Sequence, residues 1–463
     1  MKFTLAEALR ATGGRVSGGG DLDIEFAGLS TDSRGELTGL IFLALAGERF
    51  DGHDYVEAAA EAGALAAIVE RRSEGLAIPE IVVEDTLKAL GALGNMVRWK
   101  AGFKVGALTG SYGKTSTKNL AISLLENAGV HALGTKGNLN NLIGVPQTLL
   151  SASGDEEYAV IEAGISLPGE MSRLSSIIEP DVALITGVSA AHTEGLGSID
   201  GVATEKVKIA EAATHGGTVV LPADEEELIK RVEALRGDLK VVTFGWEAGA
   251  DYRGADYVSR GVRGSTFTIA GREVSLPLPG RHNAHNALAA WALVNELGVT
   301  AKDRLAPFGE ELDAGLRGSV VPGPKGSTLL VDCYNANPRA VVAALENLAE
   351  LAGDHRKLFL LGEMKELGSL SEKEHRKVGA FAAKCGVEKL FLIGPETRFT
   401  AEEAREAGLK ADAIMREDSL ETLANTLLET LTEGDWLLIK GSRSHKLDIL
   451  AEMLANDTKR AAR

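Results

Sequence analysis

The strongest constraint on the fold is a glycine-rich loop between an apolar, strand-like run and a helical pattern. The apolar run is Phe103–Leu108, the loop is Thr109–Thr117 (TGSYGKTST), and the helical pattern begins near Lys118. Glycines let backbone N–H groups face phosphate oxygens at the positive end of a helix. Lys114 is placed to neutralise the β- and γ-phosphates, and the Thr115 hydroxyl to reach Mg²⁺. The sequence therefore predicts an α/β nucleotide-binding domain that uses a nucleoside triphosphate.

The loop is shorter than the common form G-x-x-x-x-G-K-[ST]. Leu108 occupies the position five residues before Gly113, and the first glycine is Gly110. A Gly-Lys-Thr sequence can occur by chance in a surface turn, but the strand before it and the helix after it favour a phosphate site. The residues expected at the nucleotide are Thr109, Gly110, Ser111, Tyr112, Gly113, Lys114, Thr115 and Ser116.

Composition limits the class of protein. A chain of 463 residues with 44% hydrophobic residues is expected to divide into about three domains. The net charge of −17 argues against binding to nucleic acid or anionic membranes. Cys333 and Cys385 are too few and too far apart for a disulfide framework, which favours a reducing compartment and a cytoplasmic location. The sequence contains no signal-peptide core and no apolar run of about 18 residues, so we expect no membrane span.

Three blocks follow one another along the chain. Residues 1–84 predict a small mixed α/β domain. In residues 85–313 strands alternate with helices, which predicts a mostly parallel sheet with helices on both faces. An antiparallel appendage is expected at 251–278. Residues 314–463 predict a second, Rossmann-like α/β domain, which includes a strand at Ala411–Met415.

Three further side chains stand where such sheets place active sites. Glu162 ends the predicted strand Tyr158–Glu162, so its carboxylate should face the phosphate loop as a Mg²⁺ ligand. His192 follows the strand Val182–Ile185, and Lys206 lies in a helical pattern. From the residues alone, a solvated strand end is the alternative for Glu162, and a lone histidine such as His192 is more often a capping or surface residue than a ligand. The ammonium of Lys206 cannot ligate Mg²⁺.

The shortened loop, Glu162, His192 and Lys206, in this order, resemble the Mur ligase family of ATP-dependent amino-acid ligases. Gly137–Pro146 (GNLNNLIGVP) resembles the substrate loop of that family, and Pro279–Ala287 (PGRHNAHNA) its adenine-contacting segment. The resemblance spans essentially the whole chain. It implies ATP and two Mg²⁺ ions as cofactors.

Two segments resemble one subgroup of the family. They are Asp332–Pro338 (DCYNANP), which is the more specific, and Phe42–Asp54; the Asp-Asn-Pro-Arg segment of the diaminopimelate-adding subgroup is not seen. The resemblance implies a monomeric ligase that adds D-alanyl-D-alanine to UDP-N-acetylmuramoyl-tripeptide through an acyl phosphate, in peptidoglycan precursor synthesis. It implies that domain 1–84 binds the UDP substrate, domain 85–313 binds ATP and domain 314–463 binds the dipeptide.

The resemblance also implies residue roles. The catalytic residues would be Lys114, Glu162, His192 and Lys206, and the metal ligands Thr115, Glu162, His192 and, if carbamylated, Lys206. Carbamylation would turn the lysine cation into a carboxylate-like ligand. Further ATP contacts would come from Asn283, Asn286, Arg317 and Asp332. Substrate contacts would come from Ser30, Thr31, Ser33, Arg34, Asn138, Asn140, Asn141, Asn335 and Asn337.

Some of these assignments have plain structural alternatives. A capped polar turn also explains residues 30–34, an N-cap explains Asn283, and an Asn-rich turn after a strand explains Asn335 and Asn337. Leu316-Arg317-Gly318 replaces the Pro-Gly-Arg form of some relatives, and Gly187 stands where many relatives carry asparagine.

Other functions remain open from the sequence. An amino-acid-adding Mur enzyme or a folylpolyglutamate synthase would share the loop and the metals, and the amine substrate would separate them. A nucleotide-switch protein would bind ATP and signal by domain movement. Its turnover would depend on neither a carboxylate nor an amine substrate.

Overall fold

The computed structural model describes residues 1–17, 19–47, 50–299, 308, 312 and 315–461, with side chains as far as residue 456. The predicted boundary at 313/314 lies outside the described residues, as do Glu48 and Arg49 of the segment 42–54. Over the described ranges, three parallel-rich sheets follow one another along the chain and are packed with helices. This confirms the three-part α/β fold, while the predicted domain limits stay predictions.

The first part is a small mixed sheet. Four of its strands are parallel neighbours, and an antiparallel strand joins one edge. A two-stranded antiparallel ribbon lies beside it. The elements are β1 (Phe3–Thr4), α1 (Leu5–Thr12), β2 (Arg15–Ser17), β3 (Glu25–Phe26), β4 (Gly28–Ser30), β5 (Leu40–Leu43), α2 (Val56–Glu61), β6 (Ala66–Val69) and β7 (Glu80–Val82), with sheet orders β1-β3 and β2-β7-β6-β5-β4.

The second part is a nine-stranded sheet within the described residues. Its elements are α3 (Thr86–Ala101), β8 (Lys104–Thr109), α4 (Lys114–Asn127), β9 (Ala132–Gly134), α5 (Gly144–Leu150), β10 (Tyr158–Glu162), α6 (Glu170–Ile178), β11 (Val182–Ile185), α7 (Thr193–Leu196), α8 (Ile199–Val207), β12 (Thr218–Pro222), α9 (Glu226–Leu235), β13 (Lys240–Gly245), β14 (Tyr252–Ser259), β15 (Ser265–Ile269), β16 (Arg272–Leu276) and α10 (Arg281–Glu296). The strand order is β16-β15-β14-β13-β12-β11-β8-β10-β9. The pairs from β9 to β14 are parallel, and β14, β15 and β16 pair antiparallel. The antiparallel prediction for 251–278 is confirmed, and these strands extend the edge of the main sheet.

Side chains of the central strands point alternately to the two faces of the sheet and fill a hydrophobic core on each face. Ala107 and Ile161 contact the core that includes side chains of α3, α5 and α6. Leu108 and Val160 contact the opposite core, with α4 and α10. Neighbouring residues in a strand point to opposite faces, so a strand covered on both faces needs apolar residues at nearly every position. The apolar runs in β8 and β10 meet this need.

The third part is a six-stranded sheet within the described residues, parallel except for its first strand. Its elements are β17 (Ser319–Pro322), β18 (Thr328–Asp332), α11 (Pro338–Ala352), β19 (Lys357–Gly362), α12 (Ser371–Lys384), β20 (Val387–Ile393), α13 (Thr397–Glu406), β21 (Ile414–Arg416), α14 (Leu420–Thr430), β22 (Trp436–Lys440) and α15 (Leu447–Ala461), in the order β17-β18-β22-β19-β20-β21. The predicted strand at Ala411–Met415 is wrong at its start. Residues 411–413 form one helical turn, and pairing to β20 begins at Ile414. Ala411 and Asp412 are exposed and are poor strand formers.

The parallel strands place loops from two sheets around one cavity. The loops that follow β8, β10 and β11 carry the predicted phosphate and metal residues, and the loops that follow β18 and β19 approach from the third part. Parallel strands end at one edge of their sheet, which is where α/β proteins bind ligands. No helix in the described ranges combines the length and the apolar composition that a membrane crossing requires.

Candidate active site

The phosphate loop joins β8 to α4 as the sequence predicts. Gly113 precedes α4 with a φ of 74°, and no side chain caps the helix. A Cβ atom at Gly113 would lie 2.5 Å from Oδ1 of Asn286. Only glycine fits this close approach in the left-handed region. The first N–H groups of α4 are thus left without a side-chain cap, as anion binding requires.

Lys114 lies at the base of this loop. Its Nζ donates a hydrogen bond to the carbonyl oxygen of Gly110 at 2.8 Å. Burial lowers the pKa of Lys114, and nearby Glu162 opposes this lowering. A cation held in such a half-buried site acts on a neighbouring phosphate more strongly than it would in water.

Glu162 ends β10 and is hydrogen-bonded to three residues, of which two, Thr115 and Asn140, are predicted site residues. One carboxylate oxygen accepts a hydrogen bond from Thr115 Oγ1 at 2.9 Å, and the other accepts from Asn140 Nδ2 at 2.9 Å. The backbone N–H of Glu162 donates to Thr135 Oγ1 at 2.9 Å. The carboxylate and the hydroxyl are oxygen ligands of the kind that Mg²⁺ prefers.

Lys206 lies on α8 and is completely buried. Its Nζ has no hydrogen-bond partner among the residues that the structure describes. Burial, reinforced by the charge of Lys114, lowers the pKa of Lys206 well below its ordinary value. These surroundings favour the neutral amine, which is the form that can react with CO₂ to give a carbamate.

The side chains at this site fit Mg²⁺ only if Lys206 is modified. Within the described ranges, no three His, Cys, Asp or Glu side chains gather in a way that could hold a metal ion. Thr115 and Glu162 offer two oxygen ligands, but an unmodified Lys206 offers none. A carbamate on Lys206 would supply the missing oxygen ligands, so the fit depends on that modification.

A cavity of about 650 Å³ lies between the second and third sheets. Many predicted site residues line it: Ser111, Tyr112, Gly113, Lys114, Thr115, Ser116, Asn138, Asn140, Asn141, Glu162, His192, Asn283, Asn286, Arg317, Asp332, Asn335 and Asn337. Thr109 and Lys206 are fully buried. The cavity is large enough for the polar part of a nucleotide together with a reacting group.

The predicted residues 30–34 lie away from this cavity, in the first part of the chain. Arg34 is largely exposed and pairs with Asp32 at 2.7 Å. Ser30 Oγ donates to the carbonyl oxygen of Asp32 at 2.9 Å. Thr31 Oγ1 accepts a hydrogen bond from Gln147 Nε2 of α5 at 3.3 Å. The segment is therefore a self-bonded polar turn that touches the second part of the chain.

Asn337 connects the third part of the chain to the phosphate loop. Its Oδ1 accepts from the N–H of Ala340 at 2.9 Å and so caps α11. Its Nδ2 donates to the carbonyl oxygen of Ser111 at 2.9 Å. One N–H and one oxygen lone pair of this amide are not used by these two bonds, so both bonds are compatible with the predicted substrate contact. Asn283, by contrast, lies inside α10, whose N-cap is Gly280.

Family comparisons agree with this geometry. The description "Mur ligase family, catalytic domain" matches residues 25–98, "Mur ligase middle domain" matches 108–294, and "Mur ligase, glutamate ligase domain" matches 316–443. Together these matches cover most of the chain.

The chain belongs to the Mur ligase family.

Individual relatives of this Mur ligase match along nearly its whole length. The UDP-N-acetylmuramoyl-tripeptide--D-alanyl-D-alanine ligase of Escherichia coli strain K12 is 34% identical over 473 residues, which cover 98% of each chain. The crystal structure of MurF from Acinetobacter baumannii has a TM-score of 0.88 and 31% identity, with 98% of this chain and 99% of that chain covered. MurF from Thermotoga maritima in complex with ADP has a TM-score of 0.83 and 27% identity, with 94% and 98% covered.

The Mur ligase cavity also contains residues that the sequence reasoning missed. Lys440 Nζ donates to Asp332 Oδ2 at 2.6 Å and to the carbonyl oxygen of Asn335 at 3.2 Å. The guanidinium of Arg281 lies 4.8 Å from the ring centre of Trp246, at the end of the cavity beside α10. Aromatic residues make up only 5% of this sequence, so a tryptophan directly after the glycine that ends β13 could have indicated a ligand-binding position.

The structure explains why this Mur ligase carries glycine at position 187. A Cβ atom there would lie 2.2 Å from the Tyr112 hydroxyl and 3.0 Å from Oε1 of Glu225. The N–H of Val188 donates to Glu225 at 3.1 Å. Burial raises the pKa of Glu225 to about 7 and that of Tyr112 to about 12. The tyrosine of the phosphate loop thus occupies the space that a side chain at 187 would need.

Gly187→Ala is expected to lower the free energy of unfolding by about 1–3 kcal/mol, because of the clash with Tyr112 and the φ of 143°. Nucleotide affinity should fall with it, since Tyr112 must move. Denaturant unfolding and calorimetric titration with ADP measure the two effects. Gly249→Ala is the control, because a Cβ atom there meets no atom within 4 Å. If Tyr112→Ser restores nothing in the Gly187→Ala background, the steric explanation is wrong.

Proposed function

We propose that this chain is an ATP-dependent ligase that joins D-alanyl-D-alanine to UDP-N-acetylmuramoyl-tripeptide in peptidoglycan precursor synthesis. The observation that carries the proposal is the 34% identity, over 98% of both chains, with an enzyme named for this reaction. The cavity supports it, because a phosphate loop from one sheet and polar residues from a second sheet line the same space. A ligase must bring three substrates together in such a space.

The proposed chemistry has two steps. The terminal carboxylate of the tripeptide attacks the γ-phosphorus of ATP, the bond to the β-phosphate oxygen breaks, and ADP leaves. The amine of D-alanyl-D-alanine then attacks the acyl phosphate, loses a proton and expels phosphate as the peptide bond forms. Lys114 neutralises the charge on the transferred phosphoryl group, and Arg317 adds a second cation.

Thr115, Glu162, His192 and a carbamylated Lys206 would hold two Mg²⁺ ions. When bound, these ions would neutralise charge on the phosphates and on the attacking carboxylate. Asn140 orients Glu162 through the hydrogen bond already described. In the same proposal, Asn283, Asn286 and Asp332 contact ATP, and Asn138, Asn141 and Asn335 contact the peptide substrates.

The UDP end of the substrate would bind at Ser30, Thr31, Ser33 and Arg34, outside the cavity. The contact of Thr31 with Gln147 places this segment beside α5, which follows the loop that carries Asn140. A long substrate could therefore run from the first sheet to the cavity. The proposal includes a monomer that acts in the cytoplasm, where the two unpaired cysteines would stay reduced.

Phosphate release tests the function directly. Purified protein is incubated with ATP, Mg²⁺ and UDP-N-acetylmuramoyl-tripeptide, with or without D-alanyl-D-alanine. We expect release to require both substrates. Release with a single amino acid in place of the dipeptide would assign the chain to another amino-acid-adding ligase. Release that needs neither substrate would favour a nucleotide switch.

A further inference from the structure

Two loops from different sheets meet at His192. The carboxylate of Glu366, in the loop after β19, contacts Nδ1 of His192. The N–H of Glu194 donates to the carbonyl oxygen of Glu366 at 3.0 Å. Thr193 Oγ1 donates to the carbonyl oxygen of Leu367 at 2.8 Å. Three consecutive residues of the second part of the chain are thus bonded to two consecutive residues of the third.

The backbone of both loops is shaped for this contact. His192 has a φ of 58° and Glu366 a φ of 63°, a region that residues other than glycine seldom occupy. A Cβ atom added to Gly368 would lie only 3.0 Å from the Cα atom of Glu194, because the two loops approach each other closely. Such conformations persist only where surrounding contacts hold them, and they concentrate at functional sites.

The contact has a direct consequence for the histidine ring. When Nδ1–H donates to a carboxylate, the ring is fixed in one tautomer and its Nε2 lone pair is free on the opposite side. The contact with the Glu366 carboxylate is on the Nδ1 side of the His192 ring, which is the side that fixes this tautomer.

We propose that Glu366 is a positioning residue, which orients the His192 ring when the third sheet docks and so couples domain docking to phosphoryl transfer. This inference rests on the proposed function. The carboxylate of Glu366 contacts His192, whereas the other two bonds between the loops are accepted by the backbone carbonyls of Glu366 and Leu367. Removing the carboxylate should therefore release the ring while the loops stay together.

Glu366→Gln tests the inference, with Glu372→Gln as the matched control. Glu372 is a similarly exposed carboxylate in the same sheet unit, and it is bonded to Arg376 of its own helix. We expect Glu366→Gln to lower kcat by about 10–100-fold, the range found when the carboxylate partner of a ligand histidine is removed. The KM for ATP should change by less than about 2-fold, because the phosphate loop is untouched, and the control should match the wild type.

A second readout uses the protein without metal or nucleotide. Nitrogen NMR reports the tautomer of His192, and the signal is assigned by its loss in His192→Asn. We expect a Nδ1–H tautomer in the wild type and in Glu372→Gln, and a mixture in Glu366→Gln. X-ray scattering should give the same radius of gyration for all three proteins.

A double-mutant cycle separates positioning from an independent effect. In the His192→Asn background, Glu366→Gln should cause no further loss of kcat. The inference is overturned if Glu366→Gln keeps the wild-type kcat, if the tautomer does not change, or if the two losses multiply. If the wild type itself fails to release phosphate with both substrates, the proposed function falls, and the tautomer measurement still decides whether Glu366 orients His192.

Discussion

Lys114→Ala is expected to reduce phosphate release by about 10³-fold. The Nζ of Lys114 is the cation at the base of the phosphate loop, 2.8 Å from the carbonyl oxygen of Gly110. Its charge is half-buried, so it interacts more strongly with the phosphoryl group than it would in water as negative charge redistributes in the transition state. Losing one such group costs about 10²–10³-fold or more in phosphoryl- and acyl-transfer enzymes. Initial rates of phosphate release at saturating substrates measure the effect.

The control for this prediction is Lys373→Ala, an exposed lysine of α12. It should keep the wild-type rate. Thermal unfolding of both variants checks that the protein remains folded, and we expect little change for Lys114→Ala, because burial already disfavours its charge. A Lys114→Ala enzyme that retained about a tenth of the wild-type rate would show that another group carries the phosphoryl charge.

Lys206→Met should have opposite effects on activity and stability. Activity is expected to fall by about 10²–10³-fold, since methionine can carry no carbamate and offers no oxygen ligand. Stability without metal is expected to rise by about 1–2 kcal/mol, because a buried amine without a hydrogen-bond partner is replaced by an apolar chain of similar length. Natural proteins often lose stability at functional groups in this way.

Denaturant unfolding in the presence of a chelator measures the stability change. Lys118→Met is the matched control, since Lys118 is also buried but donates to the carbonyl oxygen of Thr135 at 2.6 Å. It should destabilise the protein, because that carbonyl loses its partner. Incubation with isotopically labelled bicarbonate should label the wild type and not Lys206→Met. A Lys206→Met protein that is active, or less stable than the wild type, would contradict the proposed role.

Local sequence patterns predict most of this fold. The bounds of β10 and β11 agree with the prediction, because each is an apolar run that ends at a change in polarity. The strand prediction is wrong for residues 411–413, which are two alanines and an aspartate next to the observed strand β21. Short sequence patterns locate the ends of an element poorly. The neighbourhood of Thr115 and Glu162 is predictable, since both follow parallel strands whose ends share one edge.

Contacts between distant loops are not predictable in this way. The bond from Asn337 to Ser111 joins residues 226 positions apart, and the bond from Thr193 to Leu367 joins residues 174 apart. Each depends on how the sheets pack together, which no local period encodes. The burial of Lys206 cannot be predicted from the sequence for a similar reason. Its segment EKVK is typical of a solvated helix, and only tertiary packing places the amine in the interior.

The bond from Asn337 to the carbonyl oxygen of Ser111 also bears on the kinetics of turnover. It makes the phosphate loop part of the contact between two sheets, so the walls of the cavity belong to two sheets whose separation would widen the exit for bulky products. Where products leave by such a separation, the work of separation enters every catalytic cycle, whatever the speed of bond formation. For such an enzyme, the frequency of opening sets an upper limit on kcat, and an inhibitor that bridges the two walls gains residence time by slowing that opening.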